Sequence, residues 1–472
     1  MKIYILTIFL VLTLSVSAQE AGYLNSSGLT NNFFENGLNA RGVYSLGGNP
    51  ALLAFPDNRT LEFASILPFP NINLTLGNDF MTIEDYNYFF SGRTDADGNT
   101  NGLYLNSEEK QKFRDLFVSG TEVNSNFSAI LFAVTYFNKN VGGFGFAVKD
   151  KGSVNAAFPS DLVDLFLDGN EKSRVYNFDD TSLRSWYVRE YSLSYGYIIP
   201  FETGSFKNLS VGVSAKLLHG FTYNGVSKFS TSLQTMENNS INIKSDIELY
   251  SAFTKDLGVD YDFDDDSTRT SSLSPFPSPA GKGFAFDIGF ALQVAEVWTF
   301  GLTLSDIGSI NWNRSSALYS KSGEFILDDV TDDEVLDSLM NTIEPEGEYI
   351  DGFSTPLVTN IGIGSAFQLD KFLDGNFPGQ MAIMLNLRMG LNSEYRNSKS
   401  AFYGGFEWKP WKWLPLRSGI ALGGYSGFGW QFGFGFELPI FEINFATSNL
   451  QTFYAAESAK RISLGISTRW KF

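Results

Sequence analysis

The chain has 472 residues, no cysteine, one histidine and a formal net charge of −18, with 16% aromatic but only 18% charged residues. Lack of cysteine excludes disulfide staples, thiolate metal sites and a lipid-modified cysteine, and the acidic balance argues against nucleic acid as a partner. The 45 Phe and 45 Gly among so few charges suit apolar residues spread over alternating strands, not a disordered chain.

Residues 1–18 read as a secretory signal peptide. Lys2 precedes an apolar run from Ile3 to Leu14, and Val16, Ser17 and Ala18 stand in the cleavage register, so the mature chain is expected to start at Gln19. The run of about 12 residues is short of the roughly 20 that a membrane helix needs. No later stretch is long and apolar enough either, so a membrane reading requires a barrel, which satisfies its backbone groups between strands. Residues 19–59 lack alternation and are rich in Asn and Gly (Gly22, Asn25, Gly28, Asn31, Asn32). They precede the first strand and are expected to form a luminal plug; a periplasmic leader is the alternative.

From residue 60 onward the pattern changes to period two. Fourteen segments alternate, near 60–78, 127–138, 141–150, 187–199, 207–222, 283–294, 297–313, 356–369, 379–391, 400–408, 416–425, 428–438, 441–450 and 461–472. Pro68 and Pro70 in the first mark either a bend near a rim or an opening in the wall, because proline removes ladder hydrogen bonds. Long links (79–126, 151–186, 223–282, 314–355) follow odd-numbered strands, and tight turns follow even-numbered ones. That segregation predicts an all-β fold: an antiparallel transmembrane β-barrel over 60–472, in the bacterial outer membrane, with long loops outward and both termini periplasmic. Outer-membrane lipid and lipopolysaccharide would then surround it.

Candidate chemistry is sparse. The loop Asp95-Ala-Asp97-Gly-Asn99 spaces oxygen ligands at alternate positions, but the sixth and twelfth positions of a calcium loop fall on Thr100 and Asn106, so the match fails. Asp256, Asp260, Asp262, Asp264, Asp265 and Asp266 gather in one outward link and read as a solvated loop. His219 ends the fifth alternating segment on the parity of Val211, Val213 and Leu217, which turns it toward lipid headgroups. No catalytic residue, metal site or cofactor is therefore read, and an enzyme is not expected. Residues 328–343 carry Val330, Val335, Leu336, Leu339 and Met340 at helical spacing, which predicts an amphipathic helix in an outward loop. Trp408, Trp411 and Trp413 surround one tight turn with Lys409 and Lys412, the composition of an inner interface girdle.

The final stretch, Arg461–Phe472, alternates most cleanly. Ile462, Leu464, Ile466, Trp470 and Phe472 fall on one face, against Arg461, Ser463, Ser467, Arg469 and Lys471 on the other. Ending on an aromatic residue, with Trp470 and Phe472 near the end, resembles the signal by which barrel assembly machinery recognises outer-membrane barrels.

Two stretches carry a resemblance to a known family. GGNPALLAFPDNRTLEF, Gly47 to Phe63, resembles the Asn-Pro-Ala segment in the plug of the FadL family of outer-membrane long-chain fatty-acid transporters. FDIGFALQVAEVWTFGLTLSDIGSINWNRSS, Phe286 to Ser316, is similar to a pattern of FadL-like proteins of Bacteroidota without assigned function, with Asp306, Gly308 and Trp312 at its Asp-(Leu/Ile)-Gly and tryptophan positions. FSTPLVTNIGIGSAF, within Leu336 to Phe367, also fits that group. The resemblance implies that Asn49, Pro50 and Ala51 lie at the moving part of a plug. It leaves two functions open, because such families include hydrophobic-compound channels and barrel subunits of gliding and type IX secretion machines. In the first, a hydrophobic ligand binds an apolar pocket and leaves past the plug. In the second, the barrel docks onto an envelope protein partner and nothing passes through.

Overall fold

A computed structural model describes residues 40–55, 60–65, 71–94, 100–203, 206–262, 267–295, 297–327, 345–374, 376–391, 400–424 and 427–472. The signal-peptide reading, the plug residues 19–39, Pro68, Pro70, the Asp95–Asn99 loop, Asp264 to Asp266 and the helix expected over 328–343 lie outside them.

Alternation of side chains across each strand sets the architecture. In chain order the wall strands are β1 (Leu61–Ala64 and Asn71–Asn78), β2 (Glu122–Asn138), β3 (Gly142–Ala157), β4 (Ser182–Thr203), β5 (Phe206–Thr235), β6 (Gly281–Val294) and β7 (Trp298–Trp312). They continue as β8 (Phe353–Pro356 and Asn360–Gln368), β9 (Gln380–Gly390), β10 (Ala401–Trp411), β11 (Leu414–Gly423), β12 (Gly427–Glu437), β13 (Phe441–Thr447) and β14 (Arg461–Lys471). Each pairs antiparallel with the next, and β14 returns to β1 through Phe63↔Trp470 and Ile72↔Ile466. The result is a closed fourteen-stranded antiparallel barrel. No helix among the described residues is long and apolar enough to cross a membrane.

The outer face is apolar. Ile72, Leu74 and Leu76 on β1, Phe284 to Phe290 at alternate positions on β6, and Ile462, Leu464 and Ile466 on β14 are all exposed. In water such a band would be an unsatisfied apolar patch far beyond that of an ordinary monomer; against lipid it is matched. The inner face holds Ser, Gly, Asn and charged residues, buried by one another.

Two wall strands are interrupted. In β1, Ala64 pairs with Ala133 and Asn71 with Ile130, so the register against β2 shifts by four residues between the two lengths of β1. Asn71 is anchored at the far side of the break, where its Oδ1 accepts from the Thr468 backbone N–H at 2.6 Å. In β8, residues 357–359 separate two segments that both pair with β7.

The long links are not irregular. They carry helices α1 (Ile83–Phe90), α2 (Ser107–Leu116) and α3 (Ser160–Asp168). The spans read as links over 223–282 and 314–355 also hold strands. β5 runs 30 residues, leaving β6 at Gly220 and continuing outward to pair with Ile241–Phe253. That strand pairs with Ser316–Leu327, which pairs with Glu346–Tyr349. The wall's own sheet therefore extends beyond the barrel on one side as an extramural extension. INIKSDIELY alternates Ile241, Ile243, Ile247 and Leu249 with Asn242, Lys244, Asp246 and Glu248, a period-two strand signal that the reading of 223–282 as a link passed over.

Candidate functional site

The lumen is where the wall meets the segment 40–55. That segment makes two short 3-10 turns, Gly42–Ser45 and Pro50–Ala54. The second is fixed by its own sequence. Asn49 is the cap, its Oδ1 accepting from the Ala51 N–H at 3.0 Å, and Pro50 supplies the preset φ of a first helical position. The Asn49 side chain then donates to the Phe290 carbonyl of β6 at 2.9 Å. Asn49, Pro50 and Ala51, grouped from sequence, thus sit together against the inner wall.

What receives them is a row of glycines. Gly143 pairs with Gly196, Gly196 with Gly212, and Gly212 with Gly289, one glycine on each of β3 to β6 at the same level. A β-carbon at Gly143 would lie 1.9 Å from the Leu53 carbonyl oxygen, at Gly196 2.7 Å from that of Pro50, at Gly212 2.3 Å from the Ala51 nitrogen, and at Gly289 2.0 Å from the Asn49 Oδ1. The luminal backbone lies directly on four strands stripped of side chains. Ser210 Oγ, beside the row, donates to the Ala51 carbonyl at 2.9 Å, and Lys149 Nζ to that of Leu46 at 2.6 Å. Each glycine alone is ordinary in a strand; only the pairing register reveals the row.

Apolar contacts hold both flanks. Ala51, Leu52 and Phe55 pack with Ala291, Ala366 and Met384, while Val43, Leu46 and Leu53 pack with Ala64, Ile130, Ala133 and Ala147. Two ion networks lie beyond them. Toward the short turns, Arg469 pairs with Glu442 (2.6 Å) and Glu62 (3.4 Å), Lys471 with Glu437 and Glu442 (2.8 and 3.0 Å), and Arg417 with Glu407 (2.5 Å). This network grips the segment: the Val43 N–H donates to Glu62 at 3.0 Å, and the Arg469 guanidinium lies 4.7 Å from the Tyr44 ring centre. Toward the long links, Lys216 bridges Asp287 (2.7 Å) and Asp306 (2.8 Å), and Lys151 pairs with Glu190 (2.7 Å). Desolvating so many charges is costly unless every one is matched, so these groups act as positional locks more than as net stabilisers.

A cavity opens where the row continues past the glycines, through Thr303 and Gly362 to Arg388. It is a partly open recess between Gly47, Gly48 and Asn49 on one side and Ser305, Asn360, Asn386 and Tyr403 on the other. Its lining is mixed: glycine backbone, Ile363 and Leu387 offer apolar surface beside the Asn-Pro-Ala turn, and Asn49, Thr303 and Arg388 offer polar groups.

The other sequence-selected residues lie apart. Asp306 has φ +62°, a left-handed residue at a bulge that turns its carboxylate to Lys216. Gly308 lies tight against β6, where a β-carbon would meet the Phe284 carbonyl oxygen at 2.0 Å. Trp312 is fully buried, donates to Thr355 Oγ1 at 2.8 Å and packs near Tyr223 and Phe353. These three residues shape β7 and do not converge on one site. Trp408, Trp411 and Trp413 cluster at the β10–β11 turn, the rings of Trp411 and Trp413 5.9 Å apart. Lys409, read with them as headgroup-facing, turns inward to Glu437 at 2.7 Å. Trp470 packs 4.7 Å from Phe441, and the Phe472 ring lies 6.1 Å from Phe63. His219 faces outward beside Tyr191, with ring centres 5.1 Å apart. Among the described residues no group of three His, Asp or Glu could hold a metal ion.

No curated protein matches the chain. Solved structures that resemble it include the toluene transporter TbuX of Ralstonia pickettii (12% identity, 91% of this chain and 94% of that one, TM-score 0.43), the toluene transporter TodX of Pseudomonas putida (10%, 96% and 100%, TM-score 0.46) and a FadL homologue of Pseudomonas aeruginosa (11%, 97% and 100%, TM-score 0.39). One family model spans the barrel, matching residues 56–448, and by that match the chain belongs to the family of unknown function DUF5723.

Proposed function

We propose that this protein is an outer-membrane barrel, with long links outward and both termini periplasmic, that passes or binds small hydrophobic molecules past a luminal plug. The glycine row carries the reading. Glycine weakens a strand by roughly 0.5–1 kcal/mol relative to alanine, so four in register are a standing cost that the wall does not need for itself. They serve the segment Asn49–Leu53, which fits the lumen as a separately built part. The recess beside Gly47–Asn49, lined by Ile363 and Leu387 as well as by polar groups, would accept such a cargo.

Removing residues 19–59 tests this reading. The expected result is faster entry of a small apolar solute into liposomes carrying the protein; unchanged permeability would sink it. A second reading, a barrel subunit of a secretion or gliding machine, draws support from the luminal ion networks and from the extramural extension of the sheet. Native mass spectrometry of gently extracted protein separates the two: an apolar adduct on a monomer favours transport, a stoichiometric envelope protein partner favours the subunit.

A further inference from the structure

Helix α1 has three faces, and two are occupied. Phe89 turns inward to Phe113, with ring centres 5.0 Å apart, within the small core shared by α2 and α3. The Tyr88 hydroxyl donates to Glu109 on α2 at 2.8 Å. The third face is apolar and largely exposed: Ile83, Tyr86 and Phe90 fall at i, i+3 and i+7 and are 46%, 56% and 53% exposed, the last two stacked at 5.4 Å, while one edge of Phe90 also meets Phe113 at 6.0 Å. A capping box between Thr82 and Asp85 starts the helix, so this stripe is presented preformed.

Its height on the barrel is set by hydrogen bonds. The Ile83 N–H donates to the Ala459 carbonyl at 3.2 Å. Ala459 is three residues, roughly 10 Å of strand, above Ile462, which opens the lipid-facing row of β14. The link carrying Ala459 lies on the outer wall, because Tyr454 sets its ring edge-on to Trp430, an outward residue of β12, at 6.1 Å. The apolar outer surface therefore continues from Trp430 through Tyr454 to α1 at headgroup height.

We infer that α1 is an interfacial helix lying on the outer lipid leaflet, with Ile83, Tyr86 and Phe90 immersed, Asn87 at the boundary and Glu84 in water. Continuity with the lipid-facing wall names lipid as the occupant. Tyrosine, apolar in body and polar at the tip, suits that depth. The proposal does not depend on the transport reading.

The chain contains no cysteine, so single cysteines can be placed without background. Nitroxide labels at Ile83→Cys, Tyr86→Cys, Phe90→Cys, Glu84→Cys and Asn87→Cys would be read in the full-length protein in phosphatidylcholine–phosphatidylglycerol nanodiscs. Collision with oxygen reports acyl chains, and collision with a nickel chelate reports water. The expected ratio of oxygen to nickel accessibility is several-fold higher at 83, 86 and 90 than at 84, with 87 intermediate. Nickel-dominated collision at all five sites would stand the helix in water and overturn the proposal. Shielding from both reagents at 83, 86 and 90 would mean protein covers the face, and oxygen-dominated collision at all five would bury the polar face too; either also overturns it.

Discussion

At the scale of single residues, the glycine row inverts the usual effect of Gly→Ala in a strand. Alanine should favour the strand by roughly 0.5–1 kcal/mol. Here its methyl would enter the luminal backbone at Gly196 or Gly212, and overpacking of that kind costs about 1–3 kcal/mol. Gly212→Ala is therefore expected to lower stability in the full chain and to raise it once residues 19–59 are removed. A double-mutant cycle on the unfolding midpoint in detergent reads the sign change, and equal effects in both backgrounds would refute the seating of the segment on the row. Lys216 offers a second test. Lys216→Met strands Asp287 and Asp306 in a buried setting and should cost about 3–5 kcal/mol, whereas adding Asp287→Asn and Asp306→Asn should recover part of the loss. A single substitution without measurable effect on urea unfolding would show that water reaches the pair.

At the scale of elements, α2 and α3 are tied by charge. Arg114 Nε donates to Asp164 at 2.7 Å, and Arg174 donates to the other oxygen of the same carboxylate. Partial burial pushes the Asp164 carboxyl up, but the two guanidinium groups outweigh it and hold the group below the usual carboxylate range. A carboxyl depressed in the folded state contributes stability that is complete above its unfolded value and is lost as pH falls through the folded one. Amide protection of α2 and α3 should then be flat from neutral pH down to the ordinary aspartate range and drop below it, with Asp164→Asn abolishing the drop. Element boundaries were legible in sequence wherever one face meets lipid, because Phe284, Phe286, Ile288 and Phe290 had to alternate with small or polar residues. The strand Ile241–Phe253 alternates just as legibly, with Ile241, Ile243, Ile247 and Leu249 on one face, and was passed over because it lies inside a span read as one long link; Ser316–Leu327 (SALYSKSGEFIL) carries no such run. The glycine row escaped because Gly143, Gly196, Gly212 and Gly289 are far apart in sequence and become one feature only through register.

At the scale of the whole molecule, the orientation proposed for the barrel makes an opposite prediction for its two ends. Asn238→Cys, at the tip between β5 and Ile241–Phe253, should react with an impermeant maleimide on intact cells. Lys139→Cys, in the β2–β3 turn, should react only after the outer membrane is permeabilised, and the reverse order would invert the barrel. The interruption of β1 has a mechanical consequence. A closed cylinder normally yields nowhere first, but this one has a seam: its first strand is zipped to both neighbours in two short lengths, Leu61–Ala64 and Asn71–Asn78. Pulled upward by its N-terminus at a cantilever tip, β1 should peel away in two small force steps before β2 moves at all.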